Sequence, residues 1–184
     1  MSRFSGLTSV TCHRALSLVL PVIESGLFKR DQGHLVVINP AIPYEPKYRN
    51  GPADEKFDDV VLFDRNFGGD PETWDGPYKD VARSKAFISW KTGLPSHRVQ
   101  QEAPYLYEPG MTKWGGSAVA PGGLVVAFSG VEWFFDQMIS EIMVAAIKAT
   151  CLSDMREVMA DSNVNTIGED VLGLTDDPRE DVDG

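Results

Sequence analysis

Lys85 is the first residue in this sequence from which chemistry could be expected. Between Asp80 and Thr92, a helical spacing of 100° per residue sets Ile88, Val81, Lys85, Ser89, Ala82 and Ala86 beside one another. An ammonium inside a stripe of small and apolar groups either snorkels to water or is held for a carboxylate or a ligand anion, and burial lowers its pKa. Arg65, at the end of an apolar strand and close to Gly68-Gly69, offers a planar fork for an anionic group or for one of the many acids. His97 follows a helix stop and is the histidine best placed to reach a pocket, as a base or an axial ligand. His13 falls on a first helix and His34 opens a strand, which suits core or surface roles. Nothing spaces the three as metal ligands, so no metal site is expected. Tyr105, Tyr107 and Trp114 are flat surfaces for a ligand, the core or an oligomer contact. Ser129, Glu132 and Asp136 open the last helix, where a hydroxyl caps and a carboxylate meets the positive dipole end without any catalytic reason.

Sharper signatures are absent. There is no Walker loop, G-x-G-x-x-G, G-x-S-x-G or H-E-x-x-H. Cys12 and Cys151 form neither a CxxC pair nor a Cys/His cluster and read as reduced, core-facing thiols. Of the net charge of −10, residues 161–184 supply −7 with eight acids against one base, leaving −3 for the body. No basic stripe offsets that charge, so neither nucleic acid nor an anionic membrane is an expected partner. The apolar run Ala15–Ile23 has no small-residue cleavage site after it and is too short to span a bilayer. A cytoplasmic location is the expectation.

The elements that must position these residues follow from pattern. Thr8 or Ser9 caps a first helix with Cys12, Leu16, Val19 and Ile23 on its apolar face, stopping at Gly26. Strands are predicted at 34–39, 60–63 and 124–128. The helix from Asp80 ends at Gly93 and Pro95. Ser129-Gly-Val-Glu132 fits the capping box of a last helix whose apolar face carries Phe135, Met138, Ile139, Ile142, Ala146 and Ala149. Residues 96–116 read as loops and short turns. Residues 40–59 hold Pro40, Pro43, Pro46 and Pro52 with Tyr44 and Tyr48. A connection of that length is a functional loop or a mobile insertion. The lid version folds both tyrosines over a pocket bordered by Arg65 and Lys85. Residues 1–160 form one domain with this insertion, and 161–184 an acidic tail too poor in apolar residues to fold alone.

Taken in order, these motifs resemble the GlcG/HbpS-like family, which includes the C-terminal domain of PduO-type proteins. Phe63-Asp-Arg65-Asn-Phe-Gly68 looks like that family's F-x-R-M-D-G strand end, and Ala82-Arg-Ser-Lys85-Ala86 like its A-x-x-K-A helix. Thr92-Gly-Leu-Pro95-Ser96 resembles its helix stop; Gly122-Gly123, then Val126-Ala-Phe-Ser129-Gly130 and Asp136, resemble G-G-x-P … G-V-S-G … q-D-e. The similarity spans roughly residues 8–150. Two features depart from the pattern: the loop 40–59 replaces a tight D-x-G-G hairpin, and Asn66-Phe67 stands where the family has its R-M-D-G carboxylate. The resemblance implies an α+β fold, a mostly antiparallel sheet flanked by helices in a profilin-like sandwich, assembled as a homo-oligomer. It also implies haem as a possible cofactor.

Three functions are compatible with these residues. The leading one is a binding module for haem or another flat or anionic small molecule, lined by Arg65, Lys85, His97, Tyr105 and Trp114 under a Tyr44/Tyr48 lid. A second is a metal-free isomerase, lyase or hydrolase of a small acid, with Lys85 or His97 as general base and Arg65 fixing the carboxylate. A third is an oligomeric scaffold without a ligand.

Overall fold

The computed structural model describes residues 6–28 and 32–160; the acidic tail lies outside the described residues. Helix α1 (Ser9–Ile23) begins where the Thr8 side chain accepts from the Thr11 N–H at 3.3 Å, and it buries Cys12, Ala15, Leu16, Val19 and Ile23 along one face. Strand β1 (Gly33–Ile38) is buried at every position, because helices cover both faces of the sheet, so its sequence is a continuous apolar run rather than an alternation. Strand β2 (Val61–Phe67) and helix α2 (Tyr78–Thr92) follow. The latter stops at Gly93, whose φ of 71° is the left-handed conformation that a helix end favours in glycine.

Residues 96–116 are more ordered than a loop reading allows. They contain a two-turn helix α3 (Ser96–Glu102) and a 3-10 turn at Pro104–Leu106. Strand β3 (Ser117–Val119) then pairs with β4 (Val125–Ser129) across the Gly122-Gly123 turn. The last helix, α4, runs Trp133–Met159. Its start corrects the expected capping box: Ser129 still belongs to β4, and Glu132 supplies the carbonyl that receives the first helical N–H groups, from Phe135 and Asp136.

The sheet order is β2-β1-β4-β3, with every neighbouring pair antiparallel. Leu35, Val37, Phe63, Val126 and Phe128 face α1 and α4, while Val36, Ile38, Val125 and Ala127 face α2. The result is an α+β sandwich of three layers with a core on each side of the sheet.

Loop 40–59 belongs to the second core. It forms 3-10 turns at Pro46–Tyr48 and Glu55–Val60, and it buries Tyr48 and Phe57 against Phe87 and Trp90 of α2. Burying a phenylalanine such as Phe57 contributes about 1.5–3 kcal/mol, so this segment is a wall of the domain rather than a removable insertion. The Trp90 indole N–H donates to the Ile42 carbonyl at 2.8 Å and ties the loop down. Trp90→Phe is therefore expected to cost about 1 kcal/mol in urea unfolding and to speed proteolysis within 40–59; an unchanged cleavage rate would show that the bond does not hold the loop.

Candidate functional site

The buried charge of Lys85 forms the centre of the site. Helix α2 places this side chain, 1% exposed, at the C-terminal end of β4, where its Nζ donates to Asp136 Oδ2 at 2.6 Å and to the Phe128 carbonyl at 3.0 Å. Asp136 stands in the first turn of α4 and is 2% exposed. Its second oxygen accepts from the backbone N–H groups of Gly130 and Val131, at 3.1 and 3.0 Å. One carboxylate thus closes the β4–α4 turn and neutralises a lysine from α2.

Burial pushes the Lys85 ammonium below the usual lysine range, against the opposing pull of Asp136. Burial likewise pushes the Asp136 carboxyl up to about 6, with Lys85 and the two backbone donors holding it down. Desolvation therefore draws the two acidities together and lowers the cost of moving the proton from nitrogen to oxygen.

The pair has room only because residue 116 is glycine. Gly116 has φ 124°, and a Cβ there would lie 2.5 Å from Asp136 Cβ and 2.8 Å from Lys85 Nζ. Its carbonyl accepts from the Ser140 hydroxyl at 2.8 Å, which locks the strand entry to α4. Nearby, Ser117 Oγ lies 2.7 Å from Ser89 Oγ, accepts the Ser96 N–H at 2.8 Å and donates to Ser96 Oγ. This buried serine group joins α2, α3 and β3 and fixes α2 one turn beyond Lys85. Short polar side chains with no periodic pattern gave no sign of it in the sequence.

A cavity of about 280 Å3 opens beside the pair, lined by Pro77, Tyr78, Val81, Lys85, Trp114, Ser129, Val131, Glu132, Trp133 and Asp136. Tyr78 is bonded through its hydroxyl to Asp75. Trp114 is carried by an extended segment that Thr112 pins to α2, its N–H donating to Ser84 Oγ at 2.8 Å. The charged groups of the lining are one cation, Lys85, and two carboxylates, Asp136 and Glu132.

Of the side chains assigned from sequence to a binding site, Lys85 and Trp114 line this cavity, together with Ser129, Glu132 and Asp136, which the sequence reading placed at the helix start. His97 does not; it stacks with Trp133 at 6.3 Å between ring centroids, and its Nδ1 lies 3.0 Å from Gln137 Oε1, so it supports the tryptophan wall. Arg65 is exposed on β2 and pairs in register with Leu35, which faces α1 and α4, whereas α2 lies on the opposite face. Tyr105 is 81% exposed. Tyr44 and Tyr48 pack edge-on against Trp90 at 5.2 and 5.0 Å, within the second core rather than over Lys85. The residue that sequence reasoning set aside is Asp136. Helix-dipole logic accounted for it locally, and only its place in the resemblance beside the A-x-x-K-A motif marked it.

His34 is also buried, at 2% exposure, with Nδ1 2.6 Å from Asn66 Oδ1 and Nε2 lacking a hydrogen-bond partner, 3.8 Å from Asp64 Oδ2. Burial lowers its pKa, with Asn66 and Asp64 opposing and Lys79 and Arg83 assisting. The unfolded chain then takes up a proton near pH 6.5 that the folded one resists, so this contribution to stability is present above about pH 6.5 and is lost on acidification. His34→Gln should flatten the fall in urea midpoint between about pH 7.5 and 5.5; an unchanged slope would place its origin elsewhere.

Among the described residues no cluster of three or more His, Cys, Asp or Glu could hold a metal ion, and no helix is long and apolar enough to cross a membrane. The fold defines an α+β protein with a four-stranded antiparallel sheet between helical layers. No protein-family model and no curated protein matches the chain. Among solved structures, Klebsiella pneumoniae ORFY is similar with a TM-score of 0.54 at 11% identity, covering 81% of this chain and 95% of that one. A double mutant of Streptomyces reticuli HbpS gives a TM-score of 0.48 at 17% identity, over 79% and 89% of the two chains. PduOC, crystallised as a haem complex, gives 0.48 at 11%, over 77% and 94%. At 11% identity the similarity to ORFY is a likeness of fold alone.

Proposed function

We propose that the protein binds a small uncharged organic molecule with an acceptor oxygen in the cavity between α2 and the start of α4. The observation that carries this reading is the state of the Lys85 nitrogen. An ammonium has three donors, two of which go to Asp136 and Phe128; in this reading the third serves a ligand in the cavity that Lys85 lines. Trp114, Trp133, Val81 and Val131 supply apolar walls, the usual composition of a ligand pocket. An anionic ligand is disfavoured, because two carboxylates and a single ammonium line the cavity and Arg65 is on the other face of the sheet.

The lining does not fit a haem. Its volume of about 280 Å3 is just below the range of ligand pockets, which span roughly 300–1,000 Å3. Axial ligation draws on His, Cys, Met or Tyr, and of these types the cavity offers Tyr78 alone, whose hydroxyl is engaged by Asp75.

Saturation-transfer NMR with a panel of small aldehydes, ketones, alcohols and amides tests the proposal. Binding is expected to disappear in Val81→Trp, which fills the cavity beside Lys85, and to weaken about three- to tenfold in Trp114→Ala, where roughly 1 kcal/mol of aromatic contact is lost. Hits that persist in Val81→Trp, or a panel without hits, would overturn it. Haemin that binds the Val81→Trp protein as tightly as the parent would locate any tetrapyrrole outside this cavity.

A further inference from the structure

Resting on that binding site, we propose that Lys85 forms a reversible covalent imine with a small aldehyde or unhindered ketone held in the cavity. The geometry assigns each group a part. Lys85 Nζ has Cε and two acceptors, Asp136 Oδ2 at 2.6 Å and the Phe128 carbonyl at 3.0 Å, as neighbours. The fourth tetrahedral position carries the third hydrogen of the ammonium or, once a proton has passed to Asp136, the lone pair of the amine. Apolar surroundings are what favour the nucleophilic free amine of a lysine, and here they act against the pull of Asp136, whose carboxylate is the base at hand for the ammonium proton. The carboxylate is itself held in place by the Gly130 and Val131 N–H groups.

The step balances without an oxidant or reductant. Asp136 takes one proton from the ammonium, and the amine lone pair forms the C–N bond while the carbonyl π pair moves to oxygen. The nitrogen then gives up a second proton and the oxygen gains one, leaving a neutral carbinolamine. Asp136 returns its proton to the hydroxyl, the C–O bond breaks with loss of water, and the nitrogen pair closes the C=N bond. The iminium inherits the positive charge of the ammonium and the carboxylate beside it. Two features favour a carbonyl compound without its own carboxylate: Glu132 adds a second negative charge to the lining, and the cavity of about 280 Å3 suits a molecule of few heavy atoms. The apolar walls limit the water that would reverse the imine.

The test is reductive trapping of the full chain with propionaldehyde and sodium cyanoborohydride near pH 7, followed by peptide mass mapping. Exposed Lys113, set over the Trp114 ring at 4.9 Å, and Lys47, paired with Glu45, are internal controls in the same digest. Lys85 should acquire the propyl group at least about tenfold faster than either, since the cavity that Lys85 lines holds the aldehyde beside it and burial favours its free amine. Val81→Trp should remove that excess and leave the Lys113 rate unchanged, and Trp114→Ala, at a half-exposed position, should reduce it less. A Lys85 rate no greater than that of Lys113, or an excess surviving in Val81→Trp, overturns the imine. If propionaldehyde still shows saturation transfer that Val81→Trp abolishes, non-covalent binding stands without the covalent step; absence of both signals overturns the two readings together.

Discussion

Asp136→Ala is expected to destabilise the protein by about 3–5 kcal/mol, the usual result of stripping the partner from a buried charge. The loss is large against a total stability of about 5–15 kcal/mol. Three donor groups lose a partner at once: the Lys85 ammonium, 1% exposed and left with the Phe128 carbonyl, and the N–H groups of Gly130 and Val131. Lys85→Met combined with Asp136→Leu should recover more than half of that loss, because an apolar pair of similar volume needs no desolvation of charge. Urea unfolding of the parent, the single variant and the double variant measures both numbers. A loss below about 1 kcal/mol for Asp136→Ala, the size of a surface ion pair, would mean that water reaches the pair.

Gly116→Ala should cost about 2–6 kcal/mol, from backbone strain of about 1–3 and overpacking of about 1–3. The new methyl would sit 2.5 Å from Asp136 Cβ and 2.8 Å from Lys85 Nζ, with φ at 124°. Gly122→Ala is the matched control: its φ is 89°, but nothing lies within 4 Å of the added carbon. The difference between the two melting shifts isolates the crowding at the ion pair, and equal shifts would show that conformation alone decides. Binding should fall with Gly116→Ala, since its displacement acts on Lys85 itself.

Much of the scaffold was legible because the signals are local. Thr8 caps α1 and Gly93 ends α2 as their types require, and the apolar runs of β1 and β4 read as buried strands. What local signals cannot carry is pairing across the chain. The Ser89–Ser117–Ser96 group and the Lys85–Asp136 contact join positions 21–51 residues apart, and each residue had an adequate local explanation. β3 has three residues, too few for any periodicity. The prolines of loop 40–59 correctly excluded a strand, but they masked a tertiary role: Tyr48 and Phe57 find their partners, Phe87 and Trp90, more than 25 residues onward. Lys85 was identifiable because its whole apolar stripe lies within three helical turns.

Arg65 has a different part to play. β2 is an outer strand of the sheet among the described residues, and it carries Asp64, Arg65 and Asn66 as three consecutive exposed positions. An outer strand presents unpaired amides and carbonyls on which a stray chain can extend the sheet, and charged side chains are a common deterrent. Replacing this triplet with threonine and valine would preserve strand propensity while making β2 a template for aggregation. Charge at Arg65 is thus of the kind expected to keep this edge from recruiting further strands.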